Sequence, residues 1–182
     1  LKTFGIMVFL KLSIFYTLVR LYNFYNRANN FKDLAIKYNI DYNYINSTND
    51  KYLFKNINKH KKKISLLITN HILKKKIIKK KNHLFINKHA SILPSYKGLM
   101  PYLWTQIDSA DNGVTFHLVN EKIDTGKIIY QKKIKVKFNS MIGFYLDIFH
   151  KFPFYFIESL KNLKKKNFIK PKKKKIILFN SD

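Results

Sequence analysis

Apolar positions along this chain follow two rhythms, and the switches between them mark its elements. From Phe4 to Val19 most residues are apolar, with Leu10, Ile14, Leu18 and Tyr22 at the spacing of one helix face. The spacing predicts a packed helix with that stripe buried. Lys11 interrupts the run and Arg20 closes it, so it falls short of the roughly 20 apolar residues that span a bilayer. No basic leader or small-residue cleavage site marks it as a signal peptide. Phe31, Leu34, Ala35 and Tyr38 repeat the helical spacing, and Asn39-Ile40-Asp41-Tyr42-Asn43-Tyr44-Ile45 reads as a helix stop followed by a short strand.

Further on, Ile64-Ser65-Leu66-Leu67-Ile68-Thr69 is a nearly continuous apolar run of strand length, the pattern of a buried parallel strand. Ile72 to Lys80 reads as a helix and Leu84-Phe85-Ile86 as the next buried strand. Val114 to Val119 and Lys127 to Val136 read as two more, the second half-exposed because Lys recurs through it. Met141 to Leu163 is a helical stretch expected to bend or break at Pro153. Strands alternating with helices predict an α/β fold: an open, mostly parallel, Rossmann-like sheet flanked by helices. One domain is expected over residues 1–163, and the Lys-rich residues 164–182 read as a solvated tail that the chemistry can spare.

Composition narrows the classes. A chain of 182 residues with 46% hydrophobic content can build one substantial core, which argues against disorder. With no cysteine it has neither a disulfide framework nor a Cys-based zinc site, a usage that fits the cytoplasm. The net charge of +26 points toward polyanions, yet only Arg20 and Arg27 among the 36 basic residues are arginine. Surfaces that clamp phosphates or read bases favour the bidentate arginine fork. The charge therefore reads as a solvated surface, with no specific nucleic acid expected as partner.

Candidate chemistry lies in Asn87-Lys88-His89-Ala90-Ser91-Ile92-Leu93-Pro94-Ser95-Tyr96-Lys97-Gly98, then Gly113-Val114-Thr115-Phe116-His117, then Ile123-Asp124-Thr125-Gly126. An amide, an imidazole and a carboxylate can stabilise an oxyanion, move a proton and orient the donor, the three services that acyl transfer to an amine requires. No metal or covalent nucleophile is needed. Structural readings compete: an Asn-x-His pair at a strand end is commonly structural, and Asp-x-Gly is commonly a turn in which Gly126 would supply φ > 0. His60, His71, His83 and His150 show no informative spacing, no His-x₃-His pair suggests zinc, and Ser91 lacks the elbow glycines of a hydrolase nucleophile.

The linked motifs Asn-x-His-x-Ser-x-Leu-Pro-x-Tyr-x-Gly, Gly-Val-Thr-x-His and Asp-x-Gly-x-Ile-Ile resemble the formyltransferases that use 10-formyltetrahydrofolate, closely over Ile64 to Val136. The resemblance implies that Asn87 and His89 stabilise the oxyanion of the tetrahedral intermediate. It implies that Asp124 orients this machinery and assists proton transfer from the attacking amine. It also places the binding of the donor's pterin ring on the backbone of Thr69, Asn70, His71, Ile72 and Leu73. His117 is expected to support these groups, and Leu93-Pro94-Ser95-Tyr96-Lys97-Gly98 to wall the site.

Three branches of that family differ in acceptor: glycinamide ribonucleotide, methionyl-tRNA and nucleotide-linked amino sugars. Gly98-Leu99-Met100-Pro101-Tyr102-Leu103-Trp104 resembles the Gly-x-x-Pro-x-x-Trp of the sugar and tRNA branches, and the short basic stretch after Leu163 cannot build the extra C-terminal domain of the tRNA branch. A small-molecule amine on a nucleotide sugar is therefore the expected acceptor. The family's first strand has no clear counterpart before Leu10, so a truncated, inactive binding module is the alternative from another class. A homodimer remains open.

Overall fold

The computed structural model describes residues 6–25, 30–47, 51–59, 64–69, 71–135, 141–171 and 178–179. The chain divides into two compact units, Leu1–Asn46 and Ser47–Asp182, so the domain expected over 1–163 is split at Asn46.

In the first unit α1 (Ile6–Tyr25) forms as expected, but its stripe is not buried: Leu10, Ile14, Leu18 and Tyr22 are 49–69% exposed. Apolar residues also occupy its other faces, including Leu12, Tyr16 and Val19, so no single stripe is selected for a core. No helix among the described residues is long and apolar enough to cross a membrane. α2 (Phe31–Lys37) starts where the Asn30 side chain accepts a hydrogen bond from the Asp33 N–H at 2.9 Å. It stops at Asn39, in the left-handed region at φ 52°. The strand expected at 40–45 is not formed; an alternating pattern makes a strand only where an edge accepts its backbone.

The second unit carries α3 (Lys51–Lys59), β1 (Ile64–Leu67), α4 (Lys75–Ile78), β2 (Leu84–His89), β3 (Lys97–Gly98), α5 (Pro101–Ile107), β4 (Gly113–Leu118), β5 (Ile128–Lys133), α6 (Met141–Lys164) and β6 (Leu178–Phe179). The main sheet runs β1-β2-β4-β5. β1 pairs parallel with β2, whereas β2–β4 and β4–β5 are antiparallel. The expected α/β sheet is thus present, with a mixed pairing rather than a mostly parallel one. Between β4 and β5 the chain has only residues 119–127, too few for the crossover that parallel neighbours need, whereas residues 90–112 between β2 and β4, which include α5, would allow either pairing. β1 lies at the sheet edge and is only half-buried. The helix expected over Ile72 to Lys80 shrinks to the single turn of α4, and α6 runs through Pro153 without a break.

Register sorts the strand residues onto two faces. Ile86 opposes Leu118, and Phe116 opposes Tyr130. This face packs Ile86, Val114 and Phe116 against Phe144, Ile148 and Tyr155 of α6. On the other face Phe85 joins Ile57, Leu73 and Ile77 in a smaller core under α3 and α4. Side chains alternate along a strand, so Asn87 and His89 continue the Phe85 face past the end of that small core.

The Lys-rich stretch is not simply a solvated tail. The Ile169 N–H donates to the Ile128 carbonyl at 2.9 Å, Phe168 packs against the main core, and β6 pairs in parallel with β3.

Candidate active site

Register brings the motifs together before any side chain is considered. Asn87 sits opposite His117, His89 opposite Thr115, and Thr115 opposite Gln131, so five polar residues share one face. On the other side of Asn87 lies Leu67, the last residue of β1. That register brings the end of β1, from which the chain runs on to Thr69, alongside Asn87.

Asp124 closes the group. Its Oδ2 lies 3.3 Å from His89 Nδ1 and its Oδ1 3.3 Å from His117 Nε2. The Gly98 N–H donates to Oδ2 at 2.8 Å. The carboxylate reaches this position because Asp124 itself adopts the left-handed conformation, φ 47°; Asp tolerates that region better than most residues. Gly126 plays a different part from the one expected. It needs no positive φ, but a Cβ there would overlap the Leu118 carbonyl, so the turn returns to β5 only with glycine.

Each imidazole is pinned from behind. The His89 Nε2–H donates to the Tyr96 carbonyl at 2.7 Å, and the His117 Nδ1–H donates to the Leu118 carbonyl at 2.9 Å; a carbonyl only accepts, which fixes the proton on those nitrogens. The remaining nitrogens face Asp124. His117 Nε2 is sealed from solvent and lies off the line of a hydrogen bond, with the carboxylate as its nearest partner. His89 is 5% exposed, and burial pushes its pKa below the usual value although Asp124 and the Tyr96 carbonyl pull it up. The 3.3 Å gap agrees with a neutral ring, because charge-assisted bonds of this kind close to about 2.7–2.9 Å. Burial alone would raise the Asp124 carboxyl, but the His117 contact, the charge of His89 and the Gly98 amide together bring it down to about 2. The charge of His89 acts only when that ring is protonated; with a neutral ring the Gly98 N–H remains as a hydrogen-bond donor to the carboxylate.

A second layer fixes the loop that supplies the Tyr96 carbonyl. Thr115 Oγ1 donates to the Ser91 carbonyl at 2.6 Å and accepts from the Leu93 N–H at 3.2 Å. Gln131 Nε2 donates to the Leu93 carbonyl at 2.7 Å and to Thr115 Oγ1 at 3.1 Å. Ser91 Oγ donates to the Ser95 carbonyl at 3.0 Å and approaches that of Tyr96 at 3.4 Å. The Tyr96 hydroxyl donates to Asp108 at 3.0 Å.

Among the residues expected to bind or react, His89 and Asp124 meet directly and Asn87 shares their face. The Asn87 side chain has no hydrogen-bond partner among the described residues. Of the expected pterin loop, Asn70 lies outside the described residues, while Thr69 Oγ1 accepts from the His71 N–H at 3.0 Å. His71 and Ile72 are exposed. Leu73 is buried in the smaller core, so its side chain is structural and only its backbone remains for a ligand. His83 is satisfied by Ser65 at 2.8 Å, and His60 lies outside the described residues. An open hollow beside Lys80, Asn82, His83 and Leu84 sits at the far end of β2 and takes no part in this arrangement. Sequence reasoning missed the backbone donors and acceptors, Gly98 N–H and Tyr96 C=O, and the Gln131 brace. Thr115 was findable, since it lies two residues from the expected His117 and residues two apart on a strand share a face.

The formyl transferase family model matches residues 31–151, more than half of the chain. The chain belongs to the formyl transferase family. It is 42% identical over 66 residues to methionyl-tRNA formyltransferase of Thermodesulfovibrio yellowstonii, a match covering 36% of this chain and 21% of that protein. The chain thus spans about a fifth of the length of that curated relative. Its fold is similar to that of the formyltransferase PseJ from Anoxybacillus kamchatkensis, solved with a UDP-linked formamido sugar and tetrahydrofolate: TM-score 0.52, 27% identity, 64% of this chain and 62% of that one. Phosphoribosylglycinamide formyltransferase from Campylobacter jejuni gives a TM-score of 0.56 at 26% identity, covering 69% of this chain and 72% of that one. In these formyl transferases the acceptor differs while the fold is shared.

Proposed function

We propose that this chain carries the reaction centre of a formyltransferase that moves a formyl group from 10-formyltetrahydrofolate to a primary amine, with a nucleotide-linked amino sugar as acceptor. The observation that carries the reading is Asp124 suspended between two imidazoles, on the sheet face that also presents the Asn87 amide. The donor would supply an activated formyl carbon beside Asn87, with the backbone of Thr69 to Leu73 alongside its pterin ring. The unpartnered Asn87 amide and the adjacent loop fit such a group.

The chain's own residues account for the rest. As the amine attacks, its nitrogen gains positive charge and the formyl oxygen gains negative charge. The Asn87 amide donates to that oxygen; one aimed donor is worth about 10² to 10³ in rate. His89 Nε2–H adds a second donor by leaving the Tyr96 carbonyl. Asp124, ionised, draws the proton from the amine, and it settles between the carboxylate and the His89 Nδ1 lone pair. Nitrogen 10 of the folate takes up a proton as it leaves, so the overall transfer is balanced.

Support for the sugar acceptor comes from Gly98, Pro101 and Trp104 in the Gly-x-x-Pro-x-x-Trp pattern and from the likeness to a sugar-modifying relative. The sequence match to methionyl-tRNA formyltransferase favours a second reading, in which the amine belongs to methionyl-tRNA. Donor turnover is measured with UDP-linked 4-amino sugar, methionyl-tRNA and glycinamide ribonucleotide in parallel. Fast, saturable release of tetrahydrofolate with the sugar alone supports the proposal. Preference for methionyl-tRNA overturns the acceptor, and no turnover with any amine overturns the enzyme reading.

A further inference from the structure

The segment that follows α6 returns to the site at two points. Ile169 bridges Ile128, the first residue of β5 after the Asp124 turn, and Lys127 Nζ lies 5.2 Å over the Phe168 ring. Then β6 pairs in parallel with β3, Leu178 opposite Lys97 and Phe179 opposite Gly98. Gly98 is the residue whose N–H holds Asp124 Oδ2 at 2.8 Å. β3 is only two residues long, it is flanked by Tyr96 and Met100 in the left-handed region, and Gly98 has φ 91°. Such a stretch has little intrinsic preference for one conformation, because glycine and left-handed residues are held by their surroundings. Its only strand partner among the described residues is β6.

We propose that β6 is a positioning strand of the site: by pairing with Lys97–Gly98 it keeps the Gly98 amide on the Asp124 carboxylate. The inference rests on reading Asp124 as the proton acceptor, and it reverses the expectation that the Lys-rich end is dispensable. Without β6 the amide is released, Asp124 loses one of the contacts that keep it ionised, and its aim between His89 and His117 relaxes. The donor side, at Thr69 to Leu73, lies at the other edge of the arrangement and is unaffected. The predicted signature is therefore a fall in kcat with donor KM unchanged.

The test uses the full chain with Leu178→Pro and Phe179→Pro, which between them remove both N–H groups of the strand, and with Phe179→Leu, which keeps the backbone intact. The chain has five glycines, so ¹⁵N-glycine labelling resolves the Gly98 amide directly. At least one proline variant should shift that resonance upfield, speed its hydrogen exchange roughly tenfold, and lower kcat about tenfold to a hundredfold. Phe179→Leu should leave all three as in the wild type. An unchanged Gly98 amide in both proline variants overturns the proposal, as does a freed amide with undiminished kcat. If a proline variant unfolds, Leu178→Gly and Phe179→Gly weaken the strand more gently and are judged by the same resonance. If the wild-type chain turns over no formyl donor, the enzyme reading fails, while the amide measurement still decides whether β6 holds Gly98.

Discussion

The two faces of β2 are one side chain apart and obey different rules. Toward α6, Ile86, Val114 and Phe116 are fully buried among Phe144, Ile148 and Tyr155, and Phe116 meets Phe152 and Phe156 at ring distances of 5.5 and 6.1 Å. Volume governs that face. Even Lys88 serves it, with Nζ 4.8 Å from the Phe149 ring and its pKa lowered by burial. On the opposite face, His89, Thr115 and His117 are set by directed contacts, while the Asn87 amide has no partner among the described residues. Packing tolerates volume-conserving exchange, whereas a directed contact is lost with a single atom. The fold is therefore held by one face and the chemistry by the other, and substitutions should separate the two.

Asp124→Asn gives the largest separation. The amide keeps the shape but cannot accept a proton, so kcat should fall by about 10² to 10⁴, the usual contribution of a general base. Donor KM should stay near wild type, since the catalytic loss is confined to the transition state, while thermal stability near neutral pH should drop, because the variant lacks the ionisation that the fold favours in holding this carboxyl at about 2. Near-normal tetrahydrofolate release would remove Asp124 from the mechanism. Phe116→Ala probes the other face. It should cost about 3–5 kcal/mol in urea unfolding, while the fraction still folded turns over donor normally. Loss of specific activity in folded protein would show that the faces are not independent.

How much of this was legible in the sequence follows the same divide. Strands β2, β4 and β5 were readable because apolar residues gather there over strand-length stretches, and the motifs singled out His89 and Asp124 as candidates before any geometry was known. Antiparallel pairing of β4 was not readable, because it depends on loop lengths and partner edges rather than on side chains. The α1 stripe misled for a physical reason: Leu10, Ile14, Leu18 and Tyr22 have helical spacing, but Leu12, Tyr16 and Val19 on the opposite side are apolar as well, so spacing alone could not establish burial. The short run at 40–45 alternates yet finds no edge. Backbone groups such as the Gly98 N–H and the Tyr96 carbonyl carry no residue identity, so no motif announces them. Composition made the Lys-rich end look solvated, although β6 returns to the site.

Thr115→Val tests the brace between the faces at a smaller scale. It retains the branched shape but deletes the hydroxyl that serves Ser91, Leu93 and Gln131. Leaving a buried partner unsatisfied costs about 1–3 kcal/mol, so the unfolding midpoint should drop modestly. Because the loop carrying the Tyr96 carbonyl loosens, kcat should drop as well with donor KM retained. A stability loss without any effect on kcat would confine Thr115 to the fold.

The smallest effect expected is a pH dependence that belongs to the polar face alone. His89 has its pKa lowered by burial, so the folded protein favours the neutral ring and the unfolded chain binds the proton more readily. Stability from this group is full above the unfolded value of about 6.5 and declines as the pH falls toward the lowered value, by at most about 1.4 kcal/mol per pH unit. Asp124 acts in another window. Its carboxyl is held down to about 2, so its contribution persists above the unfolded value of about 3.9 and is lost only as the pH falls through about 2. Between pH 6.5 and 5 the two do not overlap. Urea midpoints of wild type and His89→Gln measured across that interval should converge as the pH drops, because the variant has no ring to protonate. Parallel curves would mean that His89 is not held neutral, and that the imidazole and carboxylate already share a proton before the amine arrives.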